Sequence, residues 1–383
     1  MGPYRFLEKR KHVNVTWHDN NDTLAYRTQR SWFFDEASSN GTLQDNITTL
    51  NGIAASAVYR SRFWGFLQQK GLAMGLAMFN QKIAVSKLAR ELLFEGYDDQ
   101  LLNLAKSLPS STTGGAPPVD KFGWFYERNN SLDTDGYMEV TTGRTAGTLP
   151  GQIMRWNYED HIPYYEGECA QLAGSAGEFM PRNLTKTPCA ECSVPDLADG
   201  VQWTSVSPSN TCFCNGECAW SGVMNVSACR FGSPAFMTLP HFLHGDPQLG
   251  EMVTGLQPDP DAHSFYFAVE PKLGVPLDVA ARFQLNLYLE PSENIGLYED
   301  VPRMLFPIFW VEQRVQVQDD VLAELRLVRA IFDWGGTVCA CAALVFAILV
   351  TMATCWARKP HQIKKESMFE KPKDEAELKL NPI

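Results

Sequence analysis

The chain has 383 residues, 45% of them hydrophobic, with 28 Gly and 23 Pro. That mixture excludes a disordered or collagen-like polymer and supplies enough apolar surface for a substantial core in one large domain or two. Lys and Arg number 33 against 44 Asp and Glu, a formal charge of −11, which excludes a nucleic-acid binder relying on an overall basic footprint.

The opening, MGPYRFLEKRKHVNV, has no apolar h-region, and Phe6 stands where a myristoylation motif needs Ser or Thr. Residues 1–50 read as short polar strands and turns rich in Asn, Asp and Gly. From 53 to 106 apolar residues recur at three- and four-residue spacing with few breakers, which predicts a helical cluster. Within it Leu72, Met74, Leu76, Met78 and Phe79 read mostly as packing residues. The run SSTTGGAPP over 110–118 is a loop, and strands and turns follow from about Gly123.

Late in the chain the two-residue period is clearest. Phe265, Phe267 and Val269 alternate with Ser264, Tyr266 and Ala268. After a turn around Gly274, Ala281, Phe283, Leu285, Leu287 and Leu289 alternate with Arg282, Gln284, Asn286 and Tyr288, the pattern of a half-buried strand. Residues 306–318 continue in that style, and 319–331 read as a helix leading into the next segment.

That segment, WGGTVCACAALVFAILVTMATCW over 334–356, has no charge in 23 residues. It spans about 34 Å as a helix, against a hydrocarbon core of about 30 Å. Asp333 precedes it and Arg358, Lys359, Lys364 and Lys365 follow. The positive-inside rule then puts the 357–383 tail in the cytoplasm and 1–333 outside. An anchor at the far end with no visible leader points to a chain missing part of its N-terminal sequence.

Two patterns agree with an outside location. Seven N-x-[ST] sequons, at Asn14, Asn21, Asn40, Asn46, Asn129, Asn183 and Asn225, all precede the apolar segment. Seven of the ten cysteines lie within 169–229: Cys169, Cys189, Cys192, Cys212, Cys214, Cys218 and Cys229. A zinc knot would want paired C-x2-C units at both ends and a reducing compartment, so disulfides are the better reading. Seven is odd, so one thiol stays free, pairs between chains or belongs to a non-native segment.

Catalytic signatures are missing: no G-x-S-x-G, H-E-x-x-H, P-loop or G-x-G-x-x-G occurs. His241 and His244 beside Asp246 lack a third metal ligand and read as neutral structural histidines. Asp259, Asp261 and His263 form a polar turn, short of the oxygens a calcium site needs. The chain is read as a non-enzyme with no cofactor.

Blocks along the chain resemble the class B scavenger receptor family, which includes the fatty-acid translocase, the high-density-lipoprotein receptor, the lysosomal integral membrane protein, croquemort and the sensory-neuron membrane proteins. They are GPYRF at Gly2, RELLFEGYDD at Arg90, FGWFYERNN at Phe122, DGYMEVTTG at Asp135, CFCNGEC at Cys212, FGSPAFMTLPHFLHGDP at Phe231, GLQPDPDAHSFYFAVEPKLGVPLDVAARFQLNLYLEP at Gly255 and PRMLFPIFWVEQ at Pro302. Their tone is that of insect members.

The resemblance implies an α+β membrane protein. Its ectodomain would be an antiparallel β-barrel-like body with a lipid tunnel and an apical helical bundle at 53–106, anchored at both termini. It implies a cell-surface receptor that binds lipids, fatty acids, sterols or lipoproteins and passes lipid to the membrane. The alternative is a phagocytic receptor for apoptotic cells or microbes without transport. It also implies bridges Cys169–Cys212 and Cys214–Cys218, with Cys229 joined to Cys189 or Cys192 or that bridge lost. Cys355, at the cytoplasmic edge of the span, is either palmitoylated or a plain buried thiol. Lys379 after Glu377 and Leu378 interrupts an acidic dileucine signal, which favours the plasma membrane over the lysosome. Where some members carry lysines before the first cysteine, RWNYEDHIPYYEGEC from Arg155 is acidic, so strong binding of anionic particles there is not implied.

Overall fold

Two long strands, β1 (Phe6–His18) and β2 (Thr23–Phe34), form the first hairpin, longer than the short strands expected there. The computed structural model describes residues 2–107, 119–145, 147–172, 174–177, 212–213, 220–270 and 272–357, and the chain divides into units 1–318 and 319–383. In the hairpin Phe6 faces Phe34 and His18 faces Thr23, with a bulge between Val13 and Thr16.

A small second hairpin pairs β3 (Asn46–Leu50) with β4 (Ala84–Leu88), and helices α1 (Gly52–Ser61) and α2 (Phe66–Met78) lie between its strands. Asn51 starts α1: its side-chain oxygen accepts the Ala54 N–H, while its amide donates to Gln81 Oε1 and the Lys82 carbonyl. Helix α3 (Gln100–Ser107) completes the group. The helical stretch expected from 53 to 106 is therefore interrupted by β4. Helical spacing there yields to a local break, with Asn80 in the left-handed region (φ 49°), and to the pairing offered by β3.

Strands β5 (Tyr137–Thr141) and β6 (Ile153–Trp156) extend the first sheet to the order β1-β2-β5-β6. The next sheet runs β11-β10-β8-β7, built from β7 (Met224–Asn225), β8 (Ala235–Thr238), β10 (Val275–Leu289) and β11 (Met304–Gln316), with β9 (Tyr266–Glu270) also paired to β10. All pairing is antiparallel. Among the described residues the strands fall into three sheets, with β1 and β11 as edges, and do not close one ring of backbone hydrogen bonds.

Side chains join those two edges. The Glu8 carboxylate accepts from Arg10 and Arg30, from the Trp32 indole and from Gln313 of β11 at 2.7 Å. An aromatic seam runs alongside: Phe6 meets Phe94 at 5.0 Å, Phe94 stacks on Phe125 at 5.5 Å, and Phe125 meets Phe309 at 5.9 Å.

β10 separates two apolar clusters. On one side Leu285, Leu287 and Leu289 pack with α1, Leu76, Tyr97, Ile295 and Tyr298. On the other, Val223, Phe236, Phe242, Leu249 and Leu305 pack under the chain from 240 to 264, which holds helices α4 (Pro247–Met252) and α5 (Pro260–His263). This outer layer sits tight: a Cβ on Gly222 (φ 79°) would lie 2.6 Å from Gly245 Cα.

The second unit contains one described element, α6 (Asp319–Ala357), 39 residues and about 58 Å long. It is long and apolar enough to cross a membrane. It contains the expected 334–356 span and runs unbroken through Gly335–Gly336.

Candidate ligand-docking face and sheet interior

Helix α2 is apolar around most of its circumference, and only part of that surface reaches the core. Gln69 anchors it: the buried amide donates to the Ser61 carbonyl at 2.9 Å and accepts from Asn294 at 2.6 Å, fixing α2 between α1 and the chain before 296–298. Leu76 is buried, with Leu72 and Ala73 packed beside it. Phe66, Leu67, Met74 and Met78 point outward, Leu67 with 82% of its surface exposed, and Phe63 just before the helix is 78% exposed. Expected as packing residues, Met74 and Met78 instead form an open apolar face. Periodicity marks a helix but does not say how much of its girth the core covers.

Cations rim this face. The Arg62 guanidinium lies 3.6 Å from the Tyr59 ring centre and 4.3 Å from that of Phe63, and Lys70 Nζ lies 5.5 Å from that of Phe66. A contiguous exposed apolar patch held on rigid structure marks a surface for another apolar body. Flexible methionines let such a surface adapt to partners of varied shape.

β10 is the second feature. It is expected to bury its apolar face, and it does so at Leu287 and Leu289, 1% and 5% exposed, while its polar face is buried as well. Gln284 is 2% and Asn286 0% exposed, with Arg282 and Ala280 also buried, while Phe283 and Leu285 on the opposite face stay partly accessible. The polar face is satisfied by its own bonds. Gln284 donates to Asn286 Oδ1 at 2.8 Å, Asn286 donates to Thr238 Oγ1 at 3.1 Å, and Gln284 Oε1 accepts the His241 N–H at 2.8 Å. Chain 240–264 then covers this face. Phe265, Phe267, Phe309 and Val311 share the partial accessibility of Phe283 and Leu285, so at these positions the apolar face of the sheet is less tightly sealed than the polar one.

Cys169 and Cys212 form a disulfide with Cα atoms 5.8 Å apart. Cys189, Cys192, Cys214 and Cys218 lie outside the described residues. Cys229 is half-buried, its Sγ donates to the Val226 carbonyl at 3.2 Å, and burial pushes its thiol pKa up. Asn14, Asn21, Asn40, Asn46 and Asn129 are exposed, and Asn183 lies outside the described residues. Asn225 stands apart at 4% exposure, its side-chain oxygen accepting from the Ser227 N–H and hydroxyl. Glycopeptide mass spectrometry of the secretory-pathway protein should find sugar on the five exposed sequons and none on Asn225, whose burial leaves no room for a glycan.

Two histidine-bearing turns that lie apart in the chain meet here: the His241 and His263 rings stack with centroids 4.2 Å apart. The sequence makes His241 a neutral structural histidine and His263 part of a polar turn, and only the pairing of β8, β10 and β11 brings them together. Among the described residues no group of three or more His, Cys, Asp or Glu is placed to hold a metal ion.

Comparison with known proteins supplies the remaining observation. The model of the CD36 family matches residues 1–198 and 197–357. The chain is 34% identical to Protein peste of Drosophila melanogaster over 386 residues, covering 93% of this chain and 67% of that protein. It is 31% identical to scavenger receptor class B member 1 of Cricetulus griseus, covering 82% of this chain and 65% of the relative. With lysosome membrane protein 2 of Homo sapiens the identity is 26%, covering 85% and 71%. The chain spans about two thirds of the length of these relatives.

Proposed function

The chain belongs to the CD36 family, and on that premise we propose that it is a cell-surface receptor of the scavenger class that captures lipid or lipoprotein at α2 and passes lipid along the apolar inner wall to the membrane. The observation that supports this reading is the partial accessibility of the apolar face of β10 at Phe283 and Leu285, before that face closes at Leu287 and Leu289, while polar Gln284 and Asn286 are sealed. A lipid chain gains about 0.8 kcal/mol for each CH2 buried, so a dry conduit draws lipid from a carrier without any covalent step. α6 supplies the anchor. One member of the family is named for the lysosome membrane; the plasma membrane remains our assignment for this chain.

The exposed face of α2 also suits a second reading, recognition of apoptotic cells or microbes with no lipid passing inside. Leu285→Trp separates the two. In a hollow interior the added ring is accommodated and blocks passage. Cells displaying the full chain should then take up fluorescent fatty acid at least ~10-fold more slowly, with surface level and particle binding kept. In a filled interior the same change overpacks the core and costs about 1–3 kcal/mol of stability. Normal uptake with a normal fold would sink the conduit and leave recognition alone.

A further inference from the structure

On the outer side of the second sheet, every hydrogen bond made by the stacked histidine rings requires them to be uncharged. The two planes are 18° apart. His241 Nδ1 accepts the Gln257 N–H at 3.0 Å, and His263 Nδ1 accepts the Asp259 N–H at 3.0 Å. A neutral imidazole with its proton on Nε2 can do this; an imidazolium carries N–H on both nitrogens and cannot. Protonation of either ring sets a donor against a donor. Protonation of both adds two like charges face to face.

The surroundings fix the direction of the response. The segment carrying His263 presents Asp259 and Asp261, and the Asp259 carboxylate is engaged with the Asp261 N–H at 2.9 Å. β10 presents Arg282, whose guanidinium donates to Glu312 of β11 at 2.6 Å and to the Ser264 and Asp261 carbonyls at 2.8 and 3.3 Å. β11 also places the Trp310 ring edge-on to His263 at 5.7 Å. The His241 turn contributes His244 and Asp246. Burial, His241 and Arg282 disfavour a charged His263 and outweigh Asp259, so its pKa lies below the ordinary imidazole value. The turn on the other side is itself strained, with His241, Phe242 and His244 all in the left-handed region at φ 56°, 57° and 59°.

We infer that the His241–His263 stack is an acid-released latch, which holds residues 253–264 against β10 and β11 while both rings are neutral and frees them when either takes a proton. A depressed imidazole pKa contributes stability that is complete above about pH 6.5 and is lost as pH falls from there through the folded-state value. The latch is therefore shut near neutral pH and opens in an acidified compartment, uncovering β10 around Arg282. It operates whether or not lipid passes on the opposite face.

Hydrogen–deuterium exchange of the full chain in lipid nanodiscs, at about pH 7.4 and about pH 5 and corrected for intrinsic rates, reads this directly. Peptides covering 253–264 should lose at least ~10-fold protection at the acidic pH, with the β1–β2 hairpin unchanged. The double variant His241→Asn and His263→Asn keeps an acceptor oxygen near each Nδ1 but cannot titrate, and should stay protected at both values. Exchange at the imidazole C2 position in the unmodified chain needs no variant, and should place the titration of His263 below about 6.5. Equal wild-type protection at both pH values, an acid loss that persists in the double variant, or a His263 titration at or above the ordinary value would each overturn the latch.

Discussion

Replacing Phe66 and Leu67 together by Ser is expected to weaken capture of lipoprotein particles by ~100-fold or more while leaving the fold intact. Burying a Phe or Leu side chain stabilises a complex by about 1.5–3 kcal/mol, so the pair accounts for about 3–6 kcal/mol, at tenfold per 1.4 kcal/mol. Both residues are exposed on α2 and outside the packed core, so the cost in stability should stay within about 0.5 kcal/mol. Equilibrium binding of labelled lipoprotein to cells displaying the full chain, normalised to surface level, provides the check. Unchanged affinity would remove α2 from the site. Leu76→Ser is the contrasting case, because that neighbour is buried and its loss should act through misfolding.

Cys169→Ser should produce the second large effect, on folding. The bridge to Cys212 spans 43 residues of sequence, and closing a loop of that size in the unfolded chain is worth about 4 kcal/mol in the chain-entropy model. Total stabilities of about 5–15 kcal/mol make that a large share. We expect the variant to be retained before the cell surface and to unfold at markedly lower denaturant than the parent. Surface biotinylation and a denaturant titration of purified protein provide the measurements, and a fully delivered, equally stable variant would contradict the structural role of the bridge. Cys355→Ser, in the separate unit that contains α6, should leave the folding of residues 1–318 untouched and remove an acyl group carried at that position.

How much of this was legible in the sequence depends on the residues concerned. The α6 span follows from 23 uncharged residues in a row, because nothing but length and apolarity is required of it. The Cys169–Cys212 bridge followed from the family resemblance, whereas the count of cysteines alone left their pairing open. The alternation in β10 identified a strand, and there the inference stopped: period two distinguishes two faces without saying which one another part of the chain will cover. Gln284 and Asn286 are buried because chain 240–264 folds over them and because each supplies the other's hydrogen bonds, a cooperation invisible position by position. β4 shows the opposite failure, a helical spacing overruled by a long-range partner in β3. The meeting of His241 with His263 depends on three strands aligning in register, and no local pattern in either turn announces it.

α6 also has a mechanical side. Its first 15 residues, 319–333, lie before the uncharged span yet belong to the same unbroken rod. If the span leans by about 20° in the bilayer, the far tip of that roughly 22 Å extension swings sideways by about 8 Å. Changes in bilayer thickness, which alter such leaning, would thus displace residues 319–333 sideways. Gly335–Gly336, two residues without side chains at the start of the span, make the helix easiest to bend there, and a bend would absorb part of that swing.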